Sequence, residues 1–139
     1  VQGDEPLVPP GAIQEAAAPL LADASIPMGT LKTALREDEE AADPNIVKVI
    51  TDQRGFALYF SRSVIPYVRE RDAGATLCRH VGLYVYRKDF LLRFTGLPRA
   101  PLEKAESLEQ LRALEHGYAI KVTRSDYCPV GIFHYRRNA

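Results

Sequence analysis

At 139 residues the chain is about the size of one domain and long enough to bury a core. Its 18 Lys and Arg balance 18 Asp and Glu, so no bulk charge points to nucleic acid or an anionic membrane surface. Hydrophobic residues make up 46%, yet no apolar run approaches the roughly 20 residues of a membrane span.

In chain order, "VQGDEP" (Val1 to Pro6) comes first: a strand-like start, a glycine, then two carboxylates. The carboxyl end of a parallel strand looks like this, and α/β folds place their ligands there. Asp4 is therefore a candidate magnesium ligand, since that ion takes hard oxygen donors from one or two carboxylates. Gly-Asp-Glu-Pro is also ordinary turn chemistry. "VPPGAIQEAAAPLLAD" predicts a helix begun by Pro9 and Pro10, with Ile13, Ala16, Ala17, Leu20 and Leu21 on one face. Pro19 is expected to kink or shorten it. "MGTLKTAL" predicts a strand, and the acidic run from Arg36 to Pro44 a solvated short helix or loop ended by Pro44.

"IVKVIT", "DQRG" and "FALYFS" predict a hairpin whose turn ends in Gly55. "SVIPYVRERDAGATLC" predicts an exposed, charged loop. In the strand "HVGLYVYR", Val81, Leu83 and Val85 face one way and His80, Gly82, Tyr84 and Tyr86 the other. "RKDFLLRFTGLP" predicts a short helix stopped by Gly96 and Pro98. "PLEKAESLEQLRALEHG" predicts one helix with Leu108, Leu111 and Leu114 inward and Gly117 as its stop, and "YAIKVTR" a last strand. The mixture implies an α/β domain with at least one antiparallel pair. Cys78 and Cys128 lack CxxC or zinc spacing and suit reduced thiols of a cytosolic protein.

Three places could carry chemistry beside Asp4. The His80–Tyr84 face is either a polar, partly open surface for a hydroxylated, anionic small molecule or a half-buried sheet face with a satisfied histidine. Arg62, directly after a strand, either clamps a carboxylate or phosphate in bidentate fashion or is merely solvated. Glu109 and Gln110 are adjacent on a helix and face either a ligand or water. No Ser/His/Asp signature, HExxH, phosphate-binding P-loop or basic-aromatic interleave is present.

"VQGDEP", "DPNIVKVITDQRGFALYFSR", "RHVGLYVYR" and "PLEKAESLEQLR", in this order and at these separations, resemble the 3-deoxy-manno-octulosonate (Kdo) cytidylyltransferase, or CMP-Kdo synthetase, family. The likeness extends to about Arg124, and "VQGDEP" separates it from CMP-sialic acid synthetases. The resemblance implies a Rossmann-like nucleotide-diphospho-sugar transferase fold, a mixed α/β sheet flanked by helices, present here incompletely. Residues 1–132 would be the C-terminal part of one cytidylyltransferase domain. The implied reaction is attack of the anomeric hydroxyl of Kdo on the α-phosphate of CTP, giving CMP-Kdo and pyrophosphate for lipopolysaccharide synthesis. By resemblance Asp4 is the catalytic residue that binds Mg2+ and Gln2 the neighbouring substrate contact. Arg62, His80, Tyr84, Glu109 and Gln110 surround the sugar acid. A homodimer in the cytoplasm is implied as well.

Two departures qualify the likeness. The family's N-terminal "PARxxSxRLPGKPL"-type phosphate loop has no counterpart, and "DYCPVGI" runs into "FHYRRNA" where the family continues with "DTPEDLE". Phe133 thus stands where a second magnesium-binding aspartate is expected, and residues 133–139 form an aberrant tail, as a frame shift or truncated coding record would leave. The expectation is a fragment that does not turn over Kdo. Its alternatives are a non-catalytic remnant with a sugar-binding or dimerisation surface, and a cytidylyltransferase for another acid sugar.

Overall fold

A computed structural model describes residues 9–35 and 41–126. The first helix, α1 (Pro10–Ala22), has Pro10 in its opening turn, where the missing N–H is no loss. The helix continues past Pro19, the residue expected to kink or shorten it, as far as Ala22. Pro19 lies in the last turn, and the chain closes beyond it with Asp23 N–H donating to the Pro19 carbonyl at 3.0 Å. The buried face is Ala12, Ala16 and Leu20, while Ile13 and Leu21 are 39% and 86% exposed. The stripe is thus rotated by about one residue from the expected one. The reason is close approach: a Cβ on Gly29 would meet the Ala16 carbonyl oxygen and Leu20 Cδ1, both at 2.8 Å. Only the small alanine side of the helix lets the sheet come so near.

The sheet contains β1 (Met28–Ala34), β2 (Lys48–Thr51), β3 (Ala57–Ser61), β4 (Cys78–Tyr86) and β5 (Ile120–Arg124) in the order β3-β2-β4-β1-β5. β1 runs parallel to β5; the other pairs are antiparallel. The β2–β3 hairpin is as expected, with the Asp52 carboxylate accepting the N–H groups of Arg54 and Phe56 and Gly55 at φ 86°. Its tip crosses to the far edge, where Phe56 bridges Lys121 and Val122 N–H donates to the Gly55 carbonyl. The long connection from β3 to β4 is irregular apart from a 3-10 turn at Arg71–Ala73, and exposed over most of its length.

The alternation expected of β4 holds. Val81, Leu83 and Val85 pack with Leu31 under Ala12 and Ala16 of α1. On the opposite face Tyr84 and Tyr86 join Met28, Phe60, Phe90, Phe94, Leu108, Leu111 and Ile120 in the larger core. That core is covered by α2 (Lys88–Thr95), α3 (Pro101–Glu106) and α4 (Leu111–Glu115).

The helix expected across Pro101 to Gly117 is two. Ser107 adopts the left-handed conformation, φ 55°, and Leu108 N–H turns back to the Glu103 carbonyl at 3.2 Å. The break sends Leu108, only 6% exposed, into the core. Gly117, at φ 87°, stops α4 as expected. The expectations for Gln2, Asp4 and the tail from Phe133 lie outside the described residues, as does most of the acidic run.

Candidate functional site

The site is assembled from the inner face of β4, the end of β3 and the turn between α3 and α4. His80 is 9% exposed and hydrogen-bonded, so of the two readings of this face the covered one with a satisfied histidine holds, more deeply buried than expected, and the partly open surface does not form around His80. Its ring lies edge-on to Phe60 at 5.0 Å and tilted against Tyr84 at 5.3 Å. Burial, with a smaller contribution from Arg79, pushes its pKa down to about 3, so the imidazole is neutral at physiological pH. The Thr30 hydroxyl lies 2.8 Å from His80 Nε2 and 2.7 and 3.1 Å from the carbonyls of Leu83 and Val81. Its single proton goes to a carbonyl, so Nε2–H donates to Thr30 Oγ1. This arrangement explains the irregular pairing of β1 with β4. Thr30 is opposite Tyr84 but Leu31 is opposite Val81, and Thr30 fills the gap left by Gly82 and Leu83.

Beyond His80 the rings continue in a row. Tyr84 stacks on Tyr86 at 5.9 Å, and Tyr86 lies 6.3 Å from Phe90 and 6.1 Å from Phe94. Burial raises the Tyr84 phenol well above its ordinary range, helped by Tyr86 and Glu109. Burial and then Glu109 raise Tyr86 to about 12. Both phenols are neutral hydrogen-bonding groups, and the Glu109 carboxylate is close enough for each to feel it. Gln110 beside it is buried, whereas Glu109 is exposed.

Arg62 is neither a free clamp nor merely solvated. Nε donates to the Glu106 carbonyl at 2.6 Å, Nη1 to Pro44 O at 2.9 Å and Nη2 to Ser107 O at 3.1 Å. Three of the five N–H donors of a guanidinium are thereby committed to main chain, and two are left for a ligand. The Glu106 carboxylate accepts from Ser61 Oγ at 2.6 Å, Arg62 N–H at 3.0 Å and Tyr59 OH at 3.1 Å. Burial raises the Glu106 pKa, but these hydrogen bonds outweigh it and hold the carboxyl below its usual range. Nothing in "AESLEQ" marks Glu106, because its partners come from a strand more than forty positions away.

The structure thus sets His80 against Tyr84, places Glu109 where its charge reaches Tyr84 and Tyr86, and ties Arg62 to the same α3–α4 turn at Glu106 and Ser107. Among the described residues, no group of three or more His, Cys, Asp or Glu could hold a metal ion.

A mixed sheet with helices on both faces, carrying neutral donors beside a guanidinium and a carboxylate, fits the nucleotide-sugar transferase class. The chain belongs to the cytidylyltransferase family, whose model matches residues 1–122. It is 59% identical over 140 residues to a 3-deoxy-manno-octulosonate cytidylyltransferase of Syntrophotalea carbinolica, covering 95% of this chain and 56% of the relative. The enzyme of that name from Solibacter usitatus is 52% identical over 132 residues, 95% of this chain and 52% of its own. A solved structure of CMP:2-keto-3-deoxy-manno-octonic acid synthetase complexed with CTP superposes with a TM-score of 0.86 at 38% identity. That match covers 99% of this chain and 59% of the other. The expected family and Rossmann-like fold are borne out, and the chain spans about half the length of the curated relatives it matches.

Proposed function

We propose that this chain forms the sugar-acid-binding part of a CTP-dependent Kdo cytidylyltransferase. The observation that carries the reading is that Arg62 is hydrogen-bonded to the main chain of Glu106 and Ser107, on the same turn whose Glu109 carboxylate acts on the phenols of Tyr84 and Tyr86. In the proposed reaction the anomeric oxygen of Kdo bonds to the α-phosphorus of CTP, and the bond from that phosphorus to pyrophosphate breaks. The two remaining Arg62 N–H groups suit the Kdo carboxylate. The phenols, Glu109 and Gln110 suit its hydroxyls. Each holds the nucleophile in position, a contribution made through orientation rather than proton transfer. His80 is no general base near neutral pH, since its pKa is about 3.

Magnesium with Asp4 as ligand, a homodimer and a cytoplasmic location belong to the same proposal, supported by family resemblance and by the supply of CTP. Asp4 would supply a hard carboxylate oxygen to the ion, which would neutralise phosphate charge. Among the described residues no helix is long and apolar enough to cross a membrane.

The test is a titration of Kdo into the 139-residue chain, followed by amide chemical shifts, beside a pyrophosphate-release assay with CTP. Shifts centred on Tyr84, Glu109 and Gln110 without pyrophosphate release are expected. Stronger binding of N-acetylneuraminate or a uronate would replace Kdo by another sugar acid. No binding of any sugar acid would overturn the reading.

A further inference from the structure

We propose that Glu106 is a positioning residue for the sugar-acid site, fixing the turn that presents Glu109 and Gln110. The proposal rests on the reading of those two residues as sugar-acid contacts. Glu106 works from both of its ends. Its carboxylate receives Tyr59, Ser61 and the Arg62 N–H from the end of β3, and its carbonyl receives Arg62 Nε. Arg62 Nη2 takes the next carbonyl, Ser107 O. Every donor in this set belongs to three positions at the end of β3, and every acceptor to two consecutive residues.

The turn that follows moves as one body. Leu111 N–H donates to the Leu108 carbonyl at 3.2 Å and Arg112 N–H to the Glu109 carbonyl at 3.0 Å. Glu109 thus lies between an anchored peptide and the first turn of α4. Ser107 is the hinge. It is a non-glycine residue at φ 55°, a conformation that is strained for an L side chain and persists where its surroundings fix it. Arg62 on its carbonyl and Leu108 in the core do the fixing. Released from β3, the peptide relaxes and takes Glu109 away from Tyr84 and Tyr86, while β4 keeps both tyrosines.

Glu106→Gln removes one acceptor oxygen and turns an NH2 toward a ring of donors. The test compares this variant with the unaltered 139-residue chain by amide hydrogen exchange and by Kdo-induced chemical shifts. Exchange at Leu108, Leu111 and Arg112 should speed up at least 10-fold, with the β1–β4 ladder unchanged. Kdo should bind at least 10-fold more weakly, losing its shifts at Glu109 and Gln110 and keeping those at Tyr84. Unchanged exchange in the turn overturns the proposal, as does faster exchange with undiminished Kdo shifts at Glu109. A uniform loss of protection shows a merely structural role and overturns it too. If Glu106→Gln does not fold, Ser61→Ala, which removes the shortest donor, should raise exchange in the turn about 3-fold and weaken Kdo in step. If the unaltered chain binds no sugar acid while Glu106→Gln still loosens the turn, the sugar-acid reading itself has failed, and the positioning role falls with it.

Discussion

Burial of His80 between Phe60 and Tyr84 makes its imidazole a sensor of acid, not a catalyst near neutrality. The folded pKa of about 3 lies below the ordinary 6.5, so between these values the unfolded chain holds the extra proton. Stability contributed by neutral His80 is complete above about pH 6.5 and is lost as pH falls toward 3. The span from 6.5 to about 3 is worth on the order of 5 kcal/mol at full titration, enough to unfold a marginal domain. In His80→Gln, urea denaturation at pH 7 should show about 1–2 kcal/mol less stability, because the ring packing on Phe60 is gone. By pH 4 the variant should be the more stable of the two. Carboxylates such as Glu103 and Glu106, held below their usual range, also lose stabilising charge there. They do so in both proteins and cancel from the difference. A constant gap from pH 7 to pH 4 would show that His80 titrates normally. The face His80 occupies was legible from the alternation in "HVGLYVYR". The same alternation left a covered and a partly open face both possible, and the choice between them comes from Phe60 on another strand and Thr30 on a third.

At the scale of elements, the contact of α1 with β1 turns on one absent Cβ. Gly29→Ala would place carbon 2.8 Å from a backbone oxygen and a leucine methyl, so the helix has to move. About 2–3 kcal/mol of destabilisation is expected in urea or thermal melts. Gly11→Ala, in the same helix and with nothing within 4 Å, should instead gain up to about 0.5–1 kcal/mol from helix propensity. Equal effects would mean that α1 does not sit on Gly29. The period of α1 could be read from its sequence, but its rotation could not. Periodicity fixes which residues share a face, whereas the sheet chooses which edge of that face it approaches. The same limit applies to "PLEKAESLEQLRALEHG". Its leucines were correctly inward, but the break at Ser107 depends on Arg62 and Glu106, which no local pattern reveals. Recognition of linked motifs supplied the site residues, and the structure then showed that Arg62 also serves the fold.

For the whole molecule, the decisive feature is that the β2–β3 hairpin is held at both ends. At its base, Glu106 and Arg62 tie β3 to the α3–α4 turn. At its tip, Phe56 lies under Lys121 Nζ at 4.8 Å and Arg54 at 5.0 Å, and Lys121 also donates to the Arg54 carbonyl. The two attachments sit at opposite ends of the hairpin, whose strands are themselves the outer two strands on one side of the sheet. Phe56→Ala should cost about 2 kcal/mol through lost burial and cation–π contact. Its combination with Glu106→Gln discriminates between independent attachments and one rigid body. Sites this far apart without shared partners normally add to within about 0.5 kcal/mol. If the hairpin moves as a unit, freeing one end already removes much of what the other end contributes. The double variant should then lose at least about 1 kcal/mol less than the sum of the single losses. Simple additivity would mean that the hairpin bends in its middle, and that a loosened tip leaves Glu109 where it was.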